Sequence, residues 1–408
     1  MNSLSALTSG YTEPVRDALW GHIYLTPQLS ALLASPPFMR LFRIFQLGPA
    51  YCVYPGATHT RASHSIGVYH LSRRLLIELA ERGAGGWMSA GGVRSFLCAA
   101  LLHDLGHFPY THSLKELPLD SHETLTARLI ADEPLKSLVA LCGADPEFTS
   151  AIVDISVDSD DGELLFYRRL LSGVLDPDKL DYLNRDARYC GVPYGAQDVD
   201  FIFSRLLPHK DRGVDIDSRG IPSVESVLFS KYLMYRTVYW HRQVRSATAM
   251  IKKALLSGLR DRIISGEDLY GLDDQSLFRL MEEKKHPLFR LAGEVKNGKL
   301  YFEAAAFLFD ENAHAGLLDI TNRHLYERAL AAEAAVDDII IDLPEPVSLE
   351  SSLYVRDEEC FFGQSTSAFR GNAVTDFVKS LRVVRIFSPV GVKIPEAVLH
   401  NSEKWLHL

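Results

Sequence analysis

The residues best suited to chemistry are His103 and Asp104, neighbours that close the apolar helical run Ala99–Leu102. Burying ionisable side chains in an apolar segment costs free energy unless a partner compensates. Neutral imidazole and carboxylate oxygen both ligate divalent metal ions, so a bound metal is one such compensation. The alternative is a His–Asp hydrogen bond that merely ends a helix.

Three further histidines, His107, His112 and His122, follow within twenty residues of this pair. Imidazole titrates near neutral pH, so each ring could protonate a leaving alkoxide or, as a cation, hold a phosphate oxygen. Phosphoester cleavage also needs donors that meet the developing charge. One such histidine alone would more simply be a core or surface residue, but three beside a candidate metal motif favour a catalytic role.

Several segments around this motif resemble, in the same order, the signature segments of HD-domain metal phosphohydrolases. They are Gln46-Leu47-Gly48, Tyr54-Pro55-Gly56-Ala57-x-His59-x-Arg61, His64-Ser65-x-Gly67-Val68, Leu102-His103-Asp104-Leu105-Gly106-His107 and Asp178-Lys179-Leu180-Asp181-Tyr182. The resemblance covers roughly residues 15–250 and is to the branch that hydrolyses deoxynucleoside triphosphates. That branch includes bacterial dGTPases and an animal enzyme that joins a sterile-alpha-motif domain to an HD domain.

The resemblance implies a metal site formed by His64, His103, Asp104 and Asp178. Two imidazoles and two carboxylates leave coordination positions open for water and substrate, as a catalytic site requires. We therefore expect a divalent metal cofactor. Mixed nitrogen and oxygen ligands suit Mn, Fe, Mg, Ni, Co or Zn and do not choose among them.

The resemblance also implies a reaction, in which intact tripolyphosphate is released from a deoxynucleoside triphosphate (dNTP). Water would attack the α-phosphorus at the metal, and His112 would protonate the 5′-oxygen. We expect His107, His122 and Asp104 to take part in the same chemistry.

Glu123 matches a site glutamate in the resemblance and is a further catalytic candidate. The same stretch, with Asp120 or Ser121 followed by Glu123, reads equally well as the start of a helix.

The expected substrate contacts also follow from the resemblance. Gln46 and Leu47 would meet the deoxyribose and disfavour a 2′-hydroxyl. The remaining candidates are Arg61 and Lys179 for phosphate, Tyr182, Asp186 and Tyr239 for the sugar and its 3′-hydroxyl, and Lys231, which stands where the animal enzyme has an arginine. Tyr182 and Tyr239 could instead be plain helix-packing aromatics. Trp240 replaces a glutamine, so the base preference does not transfer.

One departure concerns the aspartate that, in the animal enzyme, lies three residues after the position of His112 and orients it. Lys115 stands in that place here, followed by Glu116. Either another carboxylate such as Asp120 takes the role or turnover is low.

Two other functions therefore stay open. One is HD-type hydrolysis of another nucleotide or phosphoester, such as a monophosphate or cyclic nucleotide. The other is a nucleotide-binding regulator with weak catalysis. Lys115 in place of an aspartate favours this function, whereas the presence of all four candidate metal ligands argues against it.

The elements that must position these residues read mainly as helices over residues 15–250. Apolar periodicity predicts helices at 71–81 and 93–103, with a glycine-rich loop at 83–92 between them. Asp176 can cap a helix with Pro177 in its first turn. Its polar face would carry Asp178, Tyr182, Arg185, Asp186 and Tyr189. Residues 226–259 read as one long helical segment.

After about residue 285 the pattern changes to an α+β region. β-branched runs predict strands near 339–343 and 381–387, and loop-like breaks fall at 293–300 and 361–371. We expect a mainly α fold in which residues 1–285 form a helical HD phosphohydrolase domain, with its HD core at about 50–190. Residues 286–408 would form a smaller α+β region.

Composition limits the remaining possibilities. The 408 residues are 47% hydrophobic and 23% charged, typical of a globular protein, and the net charge of −9 does not indicate nucleic-acid binding. The sequence contains no apolar run of ~18 residues and no signal-peptide pattern. Five scattered cysteines favour reduced thiols in a cytoplasmic protein. We also expect a homo-oligomer, a dimer or tetramer, and no sterile-alpha-motif domain within residues 1–40.

Overall fold

The structure is a computed structural model, and it describes residues 3–12, 14–369, 372–389, 391–392, 394–395 and 398. The predicted strand pattern at 381–387 lies within these residues. The end of the predicted break at 361–371, residues 370–371, lies outside them.

Helices dominate the described residues, and the strands are short. The helices are α1 Ser3–Thr8, α2 Pro27–Leu33, α3 Pro36–Arg40, α4 Arg61–Glu81, α5 Ala90–Leu102, α6 His122–Ala131, α7 Leu135–Leu141, α8 Pro146–Val153, α9 Gly162–Leu171, α10 Pro177–Cys190, α11 Val199–Arg205, α12 Ile221–Met234, α13 Arg242–Arg260, α14 Gly266–Leu269, α15 Asp274–Lys284, α16 Arg290–Lys296, α17 Ile320–Glu333 and α18 Asn372–Leu381. The strands are β1 Pro14–Asp17, β2 Gly21–Tyr24, β3 Leu206–His209, β4 Gly213–Ile216, β5 Phe302–Leu308, β6 Ile340–Asp342, β7 Tyr354–Val355, β8 Cys360–Phe361 and β9 Val383–Ser388. The predicted mainly α fold is confirmed.

Helix α4 is the centre of the helical bundle, because it packs against both α5 and α10. Helix α5 is apolar on nearly every side, and Val93, Phe96 and Leu101 are fully buried, as expected of a helix surrounded by others. Packing on both flanks brings the end of α5 next to the first turns of α4 and α10, where the candidate metal ligands lie.

Polar residues begin these helices as predicted. The Asp176 side chain accepts a hydrogen bond from the Lys179 N–H, with Pro177 in the first turn of α10. Ser121 accepts from the Thr124 N–H and so begins α6. Both side chains satisfy backbone donors that a helix start leaves free.

Three local predictions were wrong in part. Ser89 caps α5, so that helix begins at Ala90 and includes the last two glycines of the predicted loop. Helix α16 continues through Gly293 to Lys296, where a break was expected. The segment 226–259 is not one helix, because a π-helical turn at Tyr235–Tyr239 and an extended His241 separate α12 from α13.

Three small sheets accompany the helices in the described residues. Strands β1 and β2 form an antiparallel pair, and β5, β9 and β6 form an antiparallel sheet in that order. The third sheet has the order β3-β4-β7-β8, with Ile216 of β4 paired in parallel to Val355 of β7. This sheet contains strands from before and after residue 285. The predicted domain boundary at that residue stays a prediction.

Several hydrophobic clusters form the core. The largest combines the helical bundle with Leu353, Val355 and Phe362 from the C-terminal third, and another packs α13 against the segment around Leu114. None of the helices in the described part of the chain is both long and apolar enough to cross a membrane.

Candidate active site

The fold brings four side chains together at one point, from the first turns of α4 and α10 and from the residues directly after α5. His64 Nε2 lies 3.0 Å from Asp178 Oδ1 and 4.0 Å from Asp104 Oδ2. His103 Nε2 lies 3.4 Å from Asp104 Oδ1 and 3.7 Å from Asp178 Oδ1. These are the four residues that the resemblance implied as metal ligands, and they converge although they are far apart in sequence.

A buried carboxylate orients His64. Asp181 Oδ2 lies 2.8 Å from His64 Nδ1, and Asp181 also accepts two hydrogen bonds from Arg185 and one from Trp20 Nε1. Burial raises the pKa of Asp181, but Arg185 and His64 hold it below its usual range, so the carboxylate accepts and His64 Nδ1 donates. Nε2 of His64 is then the nitrogen that faces Asp178 and Asp104, and it can offer its lone pair to a metal ion that displaces the proton these carboxylates favour.

Gly67 makes this arrangement possible. A Cβ at this position of α4 would overlap the Asp181 carboxylate and the Arg185 guanidinium. The glycine therefore lets α10 approach α4 closely enough for Asp181 to reach His64. Arg185 is fully buried and also pairs with Asp17, with Nη1 2.9 Å from Oδ2.

The backbone orients His103 so that its Nε2, like that of His64, faces the site. Its Nδ1 lies 3.0 Å from the Ala100 carbonyl oxygen, which can only accept, so Nδ1 donates and Nε2 faces the site with its lone pair. Nε2 is buried and has no hydrogen-bond partner among the described residues. An unpartnered imidazole nitrogen beside two carboxylates fits a divalent cation, and the expected metal cofactor is supported with its identity unresolved.

The electrostatics of this cluster also favour a cation. Burial lowers the pKa of His64, but hydrogen bonds to Asp178 and Asp181 raise it to about 10. Burial raises the pKa of Asp178, but the two histidines hold it well below its usual range. The carboxylates therefore stabilise positive charge at this point.

His107, His112 and His122 form a second cluster beside the first. Their ring centroids lie 4.6 Å apart for His107 and His112, 3.9 Å for His107 and His122, and 5.2 Å for His112 and His122. His107 Nε2 lies 3.3 Å from Asp104 Oδ1, which links the two clusters. A Cβ at Gly106 would overlap the His122 carbonyl oxygen, so this glycine allows α6 to approach.

Burial lowers the pKa of each ring in this cluster. The pKa values of His107 and His112 fall well below the usual range, and that of His122 falls to about 4. The positive charge of nearby Arg61 also lowers the pKa of all three rings. The three imidazoles are therefore neutral at pH 7 in the free protein.

Both clusters open onto one cavity of about 460 Å³, a size typical of small-molecule sites. Its wall contains most of the residues predicted to contact metal or substrate: Gln46, Leu47, Arg61, His64, His103, Asp104, His112, His122, Asp178, Lys179, Tyr182, Asp186 and Tyr239.

Several of these residues have structural partners. Asp186 Oδ2 accepts from the Tyr239 hydroxyl at 2.7 Å, and its Oδ1 lies 2.8 Å from His59 Nε2. Lys179 Nζ donates to the buried Asp176 at 2.7 Å. Arg61 Nη1 donates to Asp104 Oδ2 at 2.8 Å.

Three predicted residues do not line this cavity. His107 is fully buried behind it. Glu123 lies in the first turn of α6, and its Oε2 is 3.0 Å from His122 Nδ1, which is compatible with both of its expected roles. Lys231 Nζ donates to the Ser348 carbonyl oxygen at 2.7 Å.

The departure at Lys115 is visible in the structure. Lys115 lines the cavity, and no carboxylate hydrogen-bonds to His112 in the part of the chain that the structure describes. Asp120, the suggested substitute, pairs with Arg128 at 2.5 Å instead. Glu116 lines the cavity and pairs with Lys252 and Arg323.

Sequence reasoning did not find one whole side of the cavity. That side consists of Tyr110, Tyr235, Val244, Arg245, Thr248, Lys252, Leu343, Glu345 and Pro346, and it adjoins Trp240, which the resemblance had already placed at a substrate position. On α13, Val244, Arg245, Thr248 and Lys252 share one face by helical periodicity, which is a signal that could have been used. No local pattern ties residues 343–346 to the site.

The chain matches two family models. Residues 61–163 match the HD domain, and residues 203–364 match the HD associated region.

Among curated relatives, the chain is 36% identical over 224 residues to the uncharacterized protein YwfO of Bacillus subtilis (strain 168), covering 55% of this chain and 50% of that protein. It is 28% identical over 292 residues to the deoxynucleoside triphosphate triphosphohydrolase SAMHD1 of Danio rerio, covering 63% of this chain and 47% of that protein. The chain thus spans about half the length of these relatives.

Among solved structures, a phosphohydrolase (BT4208) from Bacteroides thetaiotaomicron VPI-5482 aligns with a TM-score of 0.71 and 22% identity. The alignment covers 93% of this chain and 100% of that one. At this identity the likeness establishes the fold.

Proposed function

The chain is a member of the HD-domain superfamily, with an HD domain followed by an HD-associated region, and from this premise we propose that it is a metal-dependent dNTP triphosphohydrolase. The observation that carries the proposal is the convergence of His64, His103, Asp104 and Asp178 on a cavity of nucleotide size. The similarity to SAMHD1 supports the substrate class.

His64, His103, Asp104 and Asp178 would hold the divalent ion. When bound, such an ion lowers the pKa of water and stabilises charge on phosphate oxygens.

His112 is the proposed proton donor to the 5′-oxygen. Burial keeps its ring neutral in the free protein, and the negative charge of a triphosphate raises an imidazole pKa. The ring would therefore take up a proton as substrate binds and release it to the leaving oxygen. Lys115, Arg61 and Lys179 lie on the same cavity wall and supply positive charge for the phosphates.

Gln46 and Leu47 are the proposed basis of sugar selection, with Tyr239 closing the opposite side. Forcing a 2′-hydroxyl into a close apolar contact costs about 1–3 kcal/mol, or roughly 5- to 200-fold in specificity. We expect dGTP to be cleaved faster than GTP by a factor in this range. Equal rates on the two nucleotides would exclude this pocket as the sugar site.

The decisive experiment is a panel of dNTPs and NTPs with Mn, Mg, Co or no added metal, with products separated by chromatography. Nucleoside plus tripolyphosphate supports the proposal, whereas orthophosphate indicates another phosphoester chemistry.

A second candidate is a nucleotide-binding regulator with weak catalysis. It is favoured by Lys115 and by the missing carboxylate partner of His112 within the described residues. Tight nucleotide binding without product in the same panel would identify it.

We propose further that the protein is a cytoplasmic homo-oligomer, a dimer or tetramer, whose small-molecule partner is the nucleotide. The five cysteines are free, in keeping with a reducing compartment. Light scattering with and without dNTP measures the assembly.

A further inference from the structure

We propose that Glu116 is a positioning residue that fixes the segment carrying His112 and Lys115 against the cavity by bridging α13 and α17. Its effect on turnover rests on the function proposed above, whereas its effect on the segment does not.

Glu116 bridges α13 and α17 through its two carboxylate oxygens. Its Oε2 lies 2.6 Å from Lys252 Nζ on α13, and its Oε1 pairs with Arg323 Nη2 on α17. The side chains of Arg323 and Lys252 are 2% and 8% exposed, and that of Glu116 is 19% exposed. One carboxylate thus joins two buried cations from different parts of the chain.

The location of the bridge connects it to the chemistry. Glu116 follows directly after the 3-10 turn Thr111–Leu114, which contains His112, and after Lys115. Glu116, Lys115, Lys252 and His112 all line the cavity. A displacement of Glu116 therefore moves the proposed proton donor relative to the metal ligands.

Apolar contacts and a backbone hydrogen bond also hold this segment. Leu114 and Leu117 pack into the cluster around α13, and the Asp120 N–H donates to the Tyr270 hydroxyl at 2.7 Å. No carboxylate among the described residues bonds to the His112 ring, so its placement depends on the backbone, which the Glu116 bridge holds together with these contacts.

Loss of this bridge should cost free energy of unfolding. Breaking a buried ion pair by removing one partner is strongly destabilising, because it leaves an unpaired buried charge. Loss of the Glu116 charge leaves Lys252 and Arg323 as neighbouring cations, whose repulsion would open the segment.

A second ion-pair bridge beside this one provides a matched control. Lys253 Nζ lies 2.6 Å from Asp338 Oδ1 and 3.0 Å from Glu327 Oε2. Lys253 follows Lys252 on α13, and Glu327 lies one turn after Arg323 on α17. This second bridge is similarly buried, joins the same two helices and does not line the cavity.

The test compares Glu116→Gln with Glu327→Gln in the metal-loaded full chain. Since small misplacement of a catalytic group can cost ~10²-fold in rate, Glu116→Gln should lower kcat at least about tenfold with KM within about twofold and metal content unchanged. Amide hydrogen exchange in residues 107–121 should become at least about tenfold faster. Glu327→Gln should lower Tm without either effect, and Arg323→Lys should retain more kcat than Arg323→Met.

Two results overturn the proposal. One is an equal fall in kcat for Glu116→Gln and Glu327→Gln. The other is unchanged exchange of residues 107–121 in Glu116→Gln. If the wild-type protein releases no tripolyphosphate, the proposed function fails, but the exchange comparison still decides whether Glu116 positions the segment.

Discussion

Replacing Asp181 with asparagine tests whether this buried carboxylate sets the metal affinity through His64. An asparagine amide can present its NH₂ group to His64 Nδ1 and so removes the reason for Nδ1 to carry the proton. Loss of such a partner typically costs 10–100-fold in metal affinity, which corresponds to about 1.4–2.7 kcal/mol. We expect Asp181→Asn to weaken metal binding by this factor.

The same substitution also removes a partner of the fully buried Arg185. Breaking a buried ion pair costs about 3–5 kcal/mol when no partner remains. Asp17 still pairs with Arg185 Nη1 at 2.9 Å, so the loss of unfolding free energy should fall below that range.

Asp17→Asn is the matched control, because it removes the other partner of Arg185 without touching His64. Both variants are dialysed, their folding is checked by circular dichroism, and they are titrated with Co²⁺ while metal content is measured by mass spectrometry. If Asp181→Asn binds metal as tightly as Asp17→Asn, the proposed control of the His64 tautomer is wrong.

Three other outcomes are expected. The double variant His103→Ala, Asp104→Ala should lose bound metal and activity while staying folded, and full metal occupancy in it would refute the ligand assignment. His112→Ala should lower the single-turnover rate by about 10²–10⁴-fold with metal content intact, and His122→Ala should cost less; the reverse order would make His122 the acid. Burial lowers the pKa of His70 to about 4, so the unfolded chain binds protons first and unfolding free energy should fall as pH drops from about 6.5 to 4. The loss is at most about 3–4 kcal/mol, and denaturant titrations of His70→Gln should show a shallower pH dependence.

Features set by neighbouring residues could be predicted from the sequence. Asp176 and Pro177 begin α10 as expected, because a capping side chain and a proline act within one turn. The resemblance of several segments, taken together, predicted that His64 and Asp178 lie close to each other. Asp181 was part of a matched segment, but its role depends on which face of α10 meets α4, and Gly67 decides that in three dimensions.

Features set by distant residues could not be predicted. Leu343, Glu345 and Pro346 reach the cavity because β6 pairs with β9 and places the irregular segment after β6 there. The π-helical turn before Trp240 has no clear local signal, since its residues suit an ordinary helix equally well. Propensity describes single elements, whereas these features arise from their packing.

The pairing of β4 with β7 has a consequence for the order in which the protein is assembled during translation. The candidate metal ligands have all been synthesised once residue 178 emerges, but Val355, which pairs with Ile216, and the wall at 343–346 emerge much later. Contacts between such distant segments form slowly, because a long loop must close first. A growing chain of this design can therefore gather its candidate metal ligands well before it can complete the cavity wall.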